Sequence, residues 1–352
     1  MKKTILAALL PAMLVAGTAQ AATIYQGEDG SNVDVFGRLG FNVTNRDNNE
    51  DTSKTIGQFD GRLGLGGSQT INDQMSVIGW AEYQVNAAEG KNGNKDLTAR
   101  YVWAGVDMGS MGKVTAGRVA SGLIMATDIA DVFALSDVTL ARQAGIVNGN
   151  ATQVFRQDDT LQYQNSFGDF DLSAAYILGN EHMKSGYNVA GRYTLDMGNA
   201  GKLAPVVAYQ QNNAEDNRTD NADKYDFWAV GTRYYIGDLM LGAVYSQDKV
   251  SYTNNTDASE DKGYELTAVY DFQNDWVVRG GYRNVENTGG DNAEYKDLTA
   301  EVQYKLTDRS SLFTSYVNRN GQNGENGQNT NIWGDWNNAK EDYYHVGLRY
   351  EF

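Results

Sequence analysis

The chain has no cysteine, only two prolines and only two histidines in 352 residues. The lack of cysteine excludes a disulfide framework, thiol chemistry and cysteine metal clusters. A hydrolytic site built on a histidine base has little to draw on. His182 lies in Glu181-His182-Met183 with Ser185 as its nearby serine, and His345 sits between Tyr343 and Arg349. The two are not in zinc-ligand spacing, so neither a metal, nor a cofactor, nor an enzyme activity is expected. Pro11 falls near the N-terminus and Pro205 near the start of an expected strand, a scarcity that suits long, fully hydrogen-bonded sheet. Past the first 21 residues no apolar run reaches the roughly 18 residues of a spanning helix. Positive charge is also in deficit, with 29 Lys and Arg against 45 Asp and Glu. Such a chain repels nucleic acid. It is not a disordered acidic tail, because 22 Tyr, 11 Phe and 6 Trp supply too much aromatic surface.

What is present begins with Lys2 and Lys3, an apolar stretch from Ile5 to Ala16, and Ala19-Gln20-Ala21. This predicts a signal peptide over residues 1–21 and a single mature domain over 22–352. Without Lys2 and Lys3 the mature chain carries 27 basic and 45 acidic residues, a net charge of −18. At the other end Tyr344, Val346, Leu348 and Tyr350 alternate with His345, Arg349 and Glu351 before Phe352. A strand apolar on one face and polar on the other suits a wall with lipid on one side. In lipid every backbone polar group needs a partner, so spanning strands must close into a barrel.

The same alternation recurs along the chain. Val33, Val35, Leu39 and Phe41 oppose Asp34 and Arg38, and Phe59, Leu63 and Leu65 oppose Asp60 and Arg62. Sixteen such segments are expected, the sixth running from Phe155 to Ser166 and the last from Glu341 to Phe352. Tight turns such as Asn72–Gln74, Gly237-Asp238 and Asn274-Asp275 alternate with long polar joints such as Asn45–Thr55, Asn212–Asp223 and Asn320–Lys340. Short turns on one rim and long loops on the other are the asymmetry of an outer-membrane barrel. The fold class is therefore all-β: a transmembrane, sixteen-stranded antiparallel barrel with short periplasmic turns and long extracellular loops. A barrel of that size leaves room for an aqueous channel.

On alternation alone Arg38, Arg62 and Arg100 share the polar face of near-neighbour strands, Arg118 closes the fifth strand and Arg156 opens the sixth. The bland reading is ordinary polar filling of the lumen beside acids such as Asp60 and Glu82. Tyr83, Tyr101, Trp103, Trp228 and Tyr234 are expected on the lipid face, with Phe36, Trp80 and Phe227 pointing inward. The joint 119–154 breaks the pattern. Its first half, with Leu123, Ile124, Met125, Ile129, Val132 and Phe133, would be an unusual apolar patch in water. Folded into the barrel it has wall to pack on.

Taken in order, Val33-Asp34-Val35-Phe36-Gly37-Arg38, Gly61-Arg62-Leu63-Gly64-Leu65, Thr98 to Gly105, Ala116-Gly117-Arg118, Arg156 to Tyr163 and the terminal Gly347 to Phe352 resemble the trimeric general diffusion porins of Gram-negative outer membranes. The resemblance spans the whole mature region. It implies passive diffusion of small hydrophilic solutes and ions through a homotrimer in the outer membrane, with Arg38, Arg62, Arg100, Arg118 and Arg156 as a basic ladder. It also implies a third loop folded inward to narrow the pore, presenting Asp128, Asp131 and Asp137 to those arginines, and Glu89 latching a neighbouring subunit. Asp128 to Phe133 lacks the Pro-Glu-Phe-Gly-Gly turn of enterobacterial relatives, which leaves the second acid's position open. Mild cation preference follows from the acidic loops: Asp47, Glu50 and Asp51, then Glu215, Asp216, Asp220 and Asp223, then Asp257, Glu260 and Asp261. These acids could also hold divalent cations against lipopolysaccharide phosphates, or simply be solvated. The barrel-assembly machinery is an expected partner through the strand ending in Phe352, besides lipid itself. A substrate-specific sugar channel, wanting eighteen strands and an aromatic stripe, and an adhesin or phage receptor are the alternatives.

Overall fold

Residues that alternate apolar and polar pair edge to edge into one antiparallel sheet that closes on itself. The structure, a computed structural model, describes residues 21–46, 54–86, 97–135, 140–151, 153–216, 218–253, 257–324 and 339–352. A short leading strand, β1 (Ala22–Gln26), precedes β2 (Asn32–Thr44), β3 (Ile56–Asn72), β4 (Met75–Val85), β5 (Leu97–Asp107) and β6 (Lys113–Arg118). Then come β7 (Thr160–Phe167), β8 (Phe170–Ile177), β9 (Met183–Tyr193), the two-residue β10 (Leu195–Asp196), β11 (Lys202–Ala214), β12 (Ala222–Ile236) and β13 (Leu239–Tyr252). The wall ends with β14 (Ser259–Asp271), β15 (Trp276–Thr288), β16 (Glu294–Thr307), β17 (Ser310–Arg319) and β18 (Tyr343–Glu351).

The wall strands pair in sequence, β9 pairs with β11, and β18 pairs back onto β2. The sheet has eighteen strands, but β1 and β10 are short segments that extend others. β1 pairs with the first residues of β2, while β18 pairs with its later residues, so the two share one position in the wall. A closed barrel of sixteen staves results. Outward side chains such as Leu39, Leu63, Leu241 and Leu348 are exposed, while inward Ser173, Gln162 and Gln210 are buried. This inversion is what a lipid-facing wall requires. The tight turns fall on one rim, and Gly237 there takes φ 56°, a left-handed conformation that costs glycine no Cβ clash.

Two expectations are corrected. β7 begins at Thr160 rather than Phe155, because Asp159 at φ 55° interrupts the extended backbone. Arg156 therefore lies ahead of the strand, in an isolated bridge with Gln153. Tyr101 and Trp103 face the lumen, not lipid. The register between β4 and β5 slips at Glu82/Tyr83, leaving Arg100 as an extra residue. Such a bulge places two residues opposite one and reverses the parity beyond it. Tyr101 then falls opposite Glu82 and Trp103 opposite Trp80, all on the inner face.

The apolar core lies inside the barrel. Between β6 and β7 the third long loop turns inward through α1 (Ile124–Thr127) and returns through α2 (Ala144–Val147). Leu123, Ile129 and Val147 are fully buried against Ile177, Met183, Tyr225 and Phe227 of the wall. Each such aliphatic side chain contributes about 1.5–3 kcal/mol on leaving water. The chain's own loop thus covers part of the lumen wall.

Candidate pore constriction

Barrel pleat brings Arg38 of β2 directly opposite Arg62 of β3, two like charges on one face. Wall acids keep them tolerable. Arg38 meets Asp60 at 2.6 Å, Arg100 meets Glu82 at 2.5 Å, and Gln84 donates to Asp60 at 3.2 Å. Arg62 is treated differently. It approaches Glu82 only to 3.9 Å, and its Nε is buried with no partner among the described residues. Arg118 reaches Asp158 at 2.5 Å and the carbonyls of Arg100 and Asn150 at 3.1 Å each. Arg156 stacks over Tyr101, 4.8 Å from the ring centroid, and donates to its hydroxyl at 3.3 Å. Burial pulls the Arg156 pKa below the usual guanidinium range, with Tyr101 offsetting part of that and the charges of Arg100 and Arg118 adding to it.

Opposite this wall the loop crosses the lumen on the inner faces of β8 to β16. Gly122 sits against Ser173, and Ile129 lies over Gly231 and Gly242. The Ile129 carbonyl accepts from Thr267 at 2.8 Å, and Phe133 lies on Gly281. A side chain at Gly281 would collide with the Phe133 ring. The tip is held by Glu301, which accepts from the Ala134 amide at 2.9 and 3.1 Å and from Arg279 at 2.8 Å. Arg349 of β18 donates to the Ala134 carbonyl and stands 3.9 Å from Asp60, joining the loop tip to the ladder.

The loop acids divide. Asp128 caps the end of α1, where Arg233 binds its backbone carbonyl. Burial pushes its carboxyl up to about 7, although Arg233 and Arg192 pull it back. Those cations belong to the wall on which the loop rests, not to the ladder. Asp131 is exposed. Asp137 and the proposed latch Glu89 lie outside the described residues, as do residues 1–20 and Asp47, Glu50 and Asp51.

The return limb is fastened by arginines the sequence did not single out. Arg142, with no exposed side-chain surface, lies 2.6 Å from Asp261 and 3.0 Å from Asp291. Burial disfavours its charge, but the two carboxylates outweigh that and raise its pKa. Arg218 donates to the carbonyls of Val147 at 2.6 Å, Ile146 at 2.7 Å and His182 at 3.0 Å, closing the end of α2. Several acids assigned to the mouth are consequently engaged. Asp261 is buried under Arg142, Asp216 meets Lys184 at 2.6 Å, Asp220 meets Arg218 at 2.5 Å and Glu260 meets Lys262 at 2.8 Å. Glu215, Asp223 and Asp257 are exposed. Among the described residues no group of three or more His, Asp or Glu is placed to hold a metal.

Comparison with known proteins agrees with this geometry. Residues 6–324 match the family described as Gram-negative porin. The outer membrane porin F of Salmonella typhimurium is 27% identical over 362 residues, covering 92% of this chain and 97% of that protein. Among solved structures, Salmonella typhi OmpF in complex with daunomycin superposes with a TM-score of 0.73 at 18% identity, covering 94% of this chain and 100% of that one. A trimer form of Vibrio cholerae OmpT gives 0.67 at 17% identity, covering 92% and 99%. At these identities the solved structures speak for the fold.

Proposed function

We propose, from the premise that this chain belongs to the Gram-negative porin family and forms a water-filled channel for passive diffusion across the outer membrane, that its pore sorts solutes between an arginine wall and the exposed Asp131. One observation carries this reading: the closed barrel holds its own third loop inside, with the tip reaching Arg349 beside the ladder. Opposed charges across a gap give a transverse field that orients dipolar solutes and sorts ions without holding them. Arg38, Arg62, Arg100, Arg118 and Arg156 form the basic side, with Arg349 added. Asp131 is the loop's acid toward the pore. Asp128 acts in seating the loop. Mild cation preference is carried by Asp131 and the exposed mouth acids Glu215, Asp223 and Asp257, and is weakened by the ion pairs at Asp216, Asp220, Glu260 and Asp261.

The family consists of channels, and we read the chain as a channel without catalytic work. Residues 1–21 are read as a signal peptide and 22–352 as one barrel domain assembling as a homotrimer. The trimer form of a structural neighbour supports the assembly. Phe352 exchanges backbone hydrogen bonds with Gly37 at 2.8 and 3.0 Å, which suits a terminal strand recognised during assembly. Lipopolysaccharide is a partner through the outer surface. Sixteen staves with an arginine-lined inner wall argue against the dedicated sugar channel. Liposome swelling tests the reading. Rates that fall smoothly with solute mass, without saturation, are expected. A saturable preference for one sugar would replace it with the substrate-specific alternative.

A further inference from the structure

Next to the arginine ladder, toward the tight-turn rim, the inner wall carries rings where a water-filled pore calls for polar groups. Phe36 of β2 and Trp80 of β4 stack over Gly64 and Gly66 of β3, with 4.0 Å between ring centroids and 24° between planes. Trp103 of β5 lies opposite Trp80. Neither glycine has a positive φ, so the backbone does not require it. A Cβ at Gly64 would collide with the Phe36 ring, and one at Gly66 with the Trp80 ring. Two inward side chains are therefore missing from β3 so that the rings can lie on the wall.

Burial does not account for the whole arrangement. Phe36 is 4% exposed and props Trp80 from one side. Trp80 and Trp103 stay half-buried, and with Ala120 and Ile124 they form the fringe of the core where the third loop meets the wall. The indole nitrogen of Trp80 is covered and has no partner among the described residues, so this shelf offers the lumen ring carbon rather than a donor. Apolar surface left facing water marks a contact site. Its neighbour is the ladder. Trp80 lies two residues from Glu82 along β4, and Phe36 two from Arg38 along β2, a step of roughly 7 Å. Glu82 is the acid that stands 3.9 Å from Arg62 and 2.5 Å from Arg100. The guanidinium groups and the flat apolar shelf are thus separated by about the length of a short alkyl chain.

Resting on the reading of the chain as a channel, we propose that this shelf and Arg62 form a weak transit site for arylalkanoates, anions that carry a flat ring on a short alkyl chain. The ring stacks on Trp80 and Trp103 while the carboxylate meets the Arg62 guanidinium. Neutral sugars, with no charge for Arg62, are left to size alone. The test is interruption of single-channel current in a planar bilayer at ~0.1 M potassium chloride, where ladder charges still reach the lumen. Phenylbutyrate, butyrate and phenyl glucoside are the probes, added on both sides. Phenylbutyrate should halve the wild-type current at about a tenth of the concentration either other probe requires. Trp80→Leu/Trp103→Leu keeps apolar packing without the large rings and should raise that concentration to the butyrate value. Trp80→Leu alone, expected to raise it part of the way, serves if the double variant does not assemble. Arg62→Gln should bring phenylbutyrate to the phenyl glucoside value. Heat-modifiable folding certifies each variant. Equal half-blocking concentrations of phenylbutyrate and butyrate in the wild type would overturn the proposal, as would blockade that the tryptophan variants leave unchanged. Phenyl glucoside blocking as strongly as phenylbutyrate would overturn the pairing with Arg62. Failure of the channel reading would show separately, as folded protein that conducts nothing before any probe is added.

Discussion

Replacing Arg62 with glutamine removes a positive charge from the pore wall without breaking a short ion pair, since Glu82 is 3.9 Å away and already bound by Arg100 at 2.5 Å. Fold stability should therefore hold, and relief from Arg38 directly opposite should help it. A unit charge acts on an ion passing ~6 Å away through water with about 0.7 kcal/mol, roughly a threefold change in occupancy for either sign. Screening at ~0.1 M salt, where the Debye length is close to 10 Å, cuts this by about half. Because cations gain what anions lose, the cation-to-anion permeability ratio should rise about threefold in Arg62→Gln. At ~1 M salt the effect should nearly vanish, the Debye length having shrunk to about 3 Å. Reversal potentials in planar bilayers under a salt gradient read this ratio directly. An unchanged ratio at low salt, with conductance intact, would refute the placing of Arg62 on the ion path.

Four further outcomes follow from the loop. Asp131→Asn should lower cation preference about threefold by the same Coulomb reasoning, whereas Asp128→Asn should leave reversal potential unchanged because its carboxyl answers to Arg233 and Arg192. Asp128 also sets a pH dependence. Its folded pKa of about 7 lies above the ordinary 3.8, so the native state holds a proton that the unfolded state releases across that window. Its contribution to stability is present in acid and is lost as pH rises through 7. The heat-denaturation midpoint of the wild type should drop between pH 5 and pH 8 by more than that of Asp128→Asn. Arg142→Met leaves Asp261 and Asp291 buried without their cation, a loss of about 3–5 kcal/mol. The return limb should loosen, seen as noisy single-channel traces and a lower heat-denaturation midpoint.

Alternation and rim-sorted loop lengths made the barrel legible, because a lipid-facing wall imposes a two-residue period that the chain must write down. The inward loop was legible as well, since an apolar stretch like Leu123 to Phe133 has to be covered by something. What escaped had physical causes. Arg349 joins the ladder only through closure, which makes the last strand the neighbour of the first. Tyr101 and Trp103 changed sides because one extra residue at Arg100 inverts the period, and nothing in composition marks a bulge. The direction of Asp128 is set by the turn of α1, whose rotation depends on where Ile129 meets Gly231 and Gly242. Arg142 sits in a loop with no period to read, and its acids come from residues more than a hundred positions away.

Charge sorting between the arginine wall and Asp131 is read most directly by single-channel recording of the purified wild-type protein in a planar bilayer, with reversal potential under a salt gradient. Stable ohmic steps grouped in threes are expected, with a weak cation preference that Asp131→Asn reduces and Arg62→Gln increases. Folded, heat-modifiable protein that conducts nothing, or a selectivity that neither substitution moves, would contradict it.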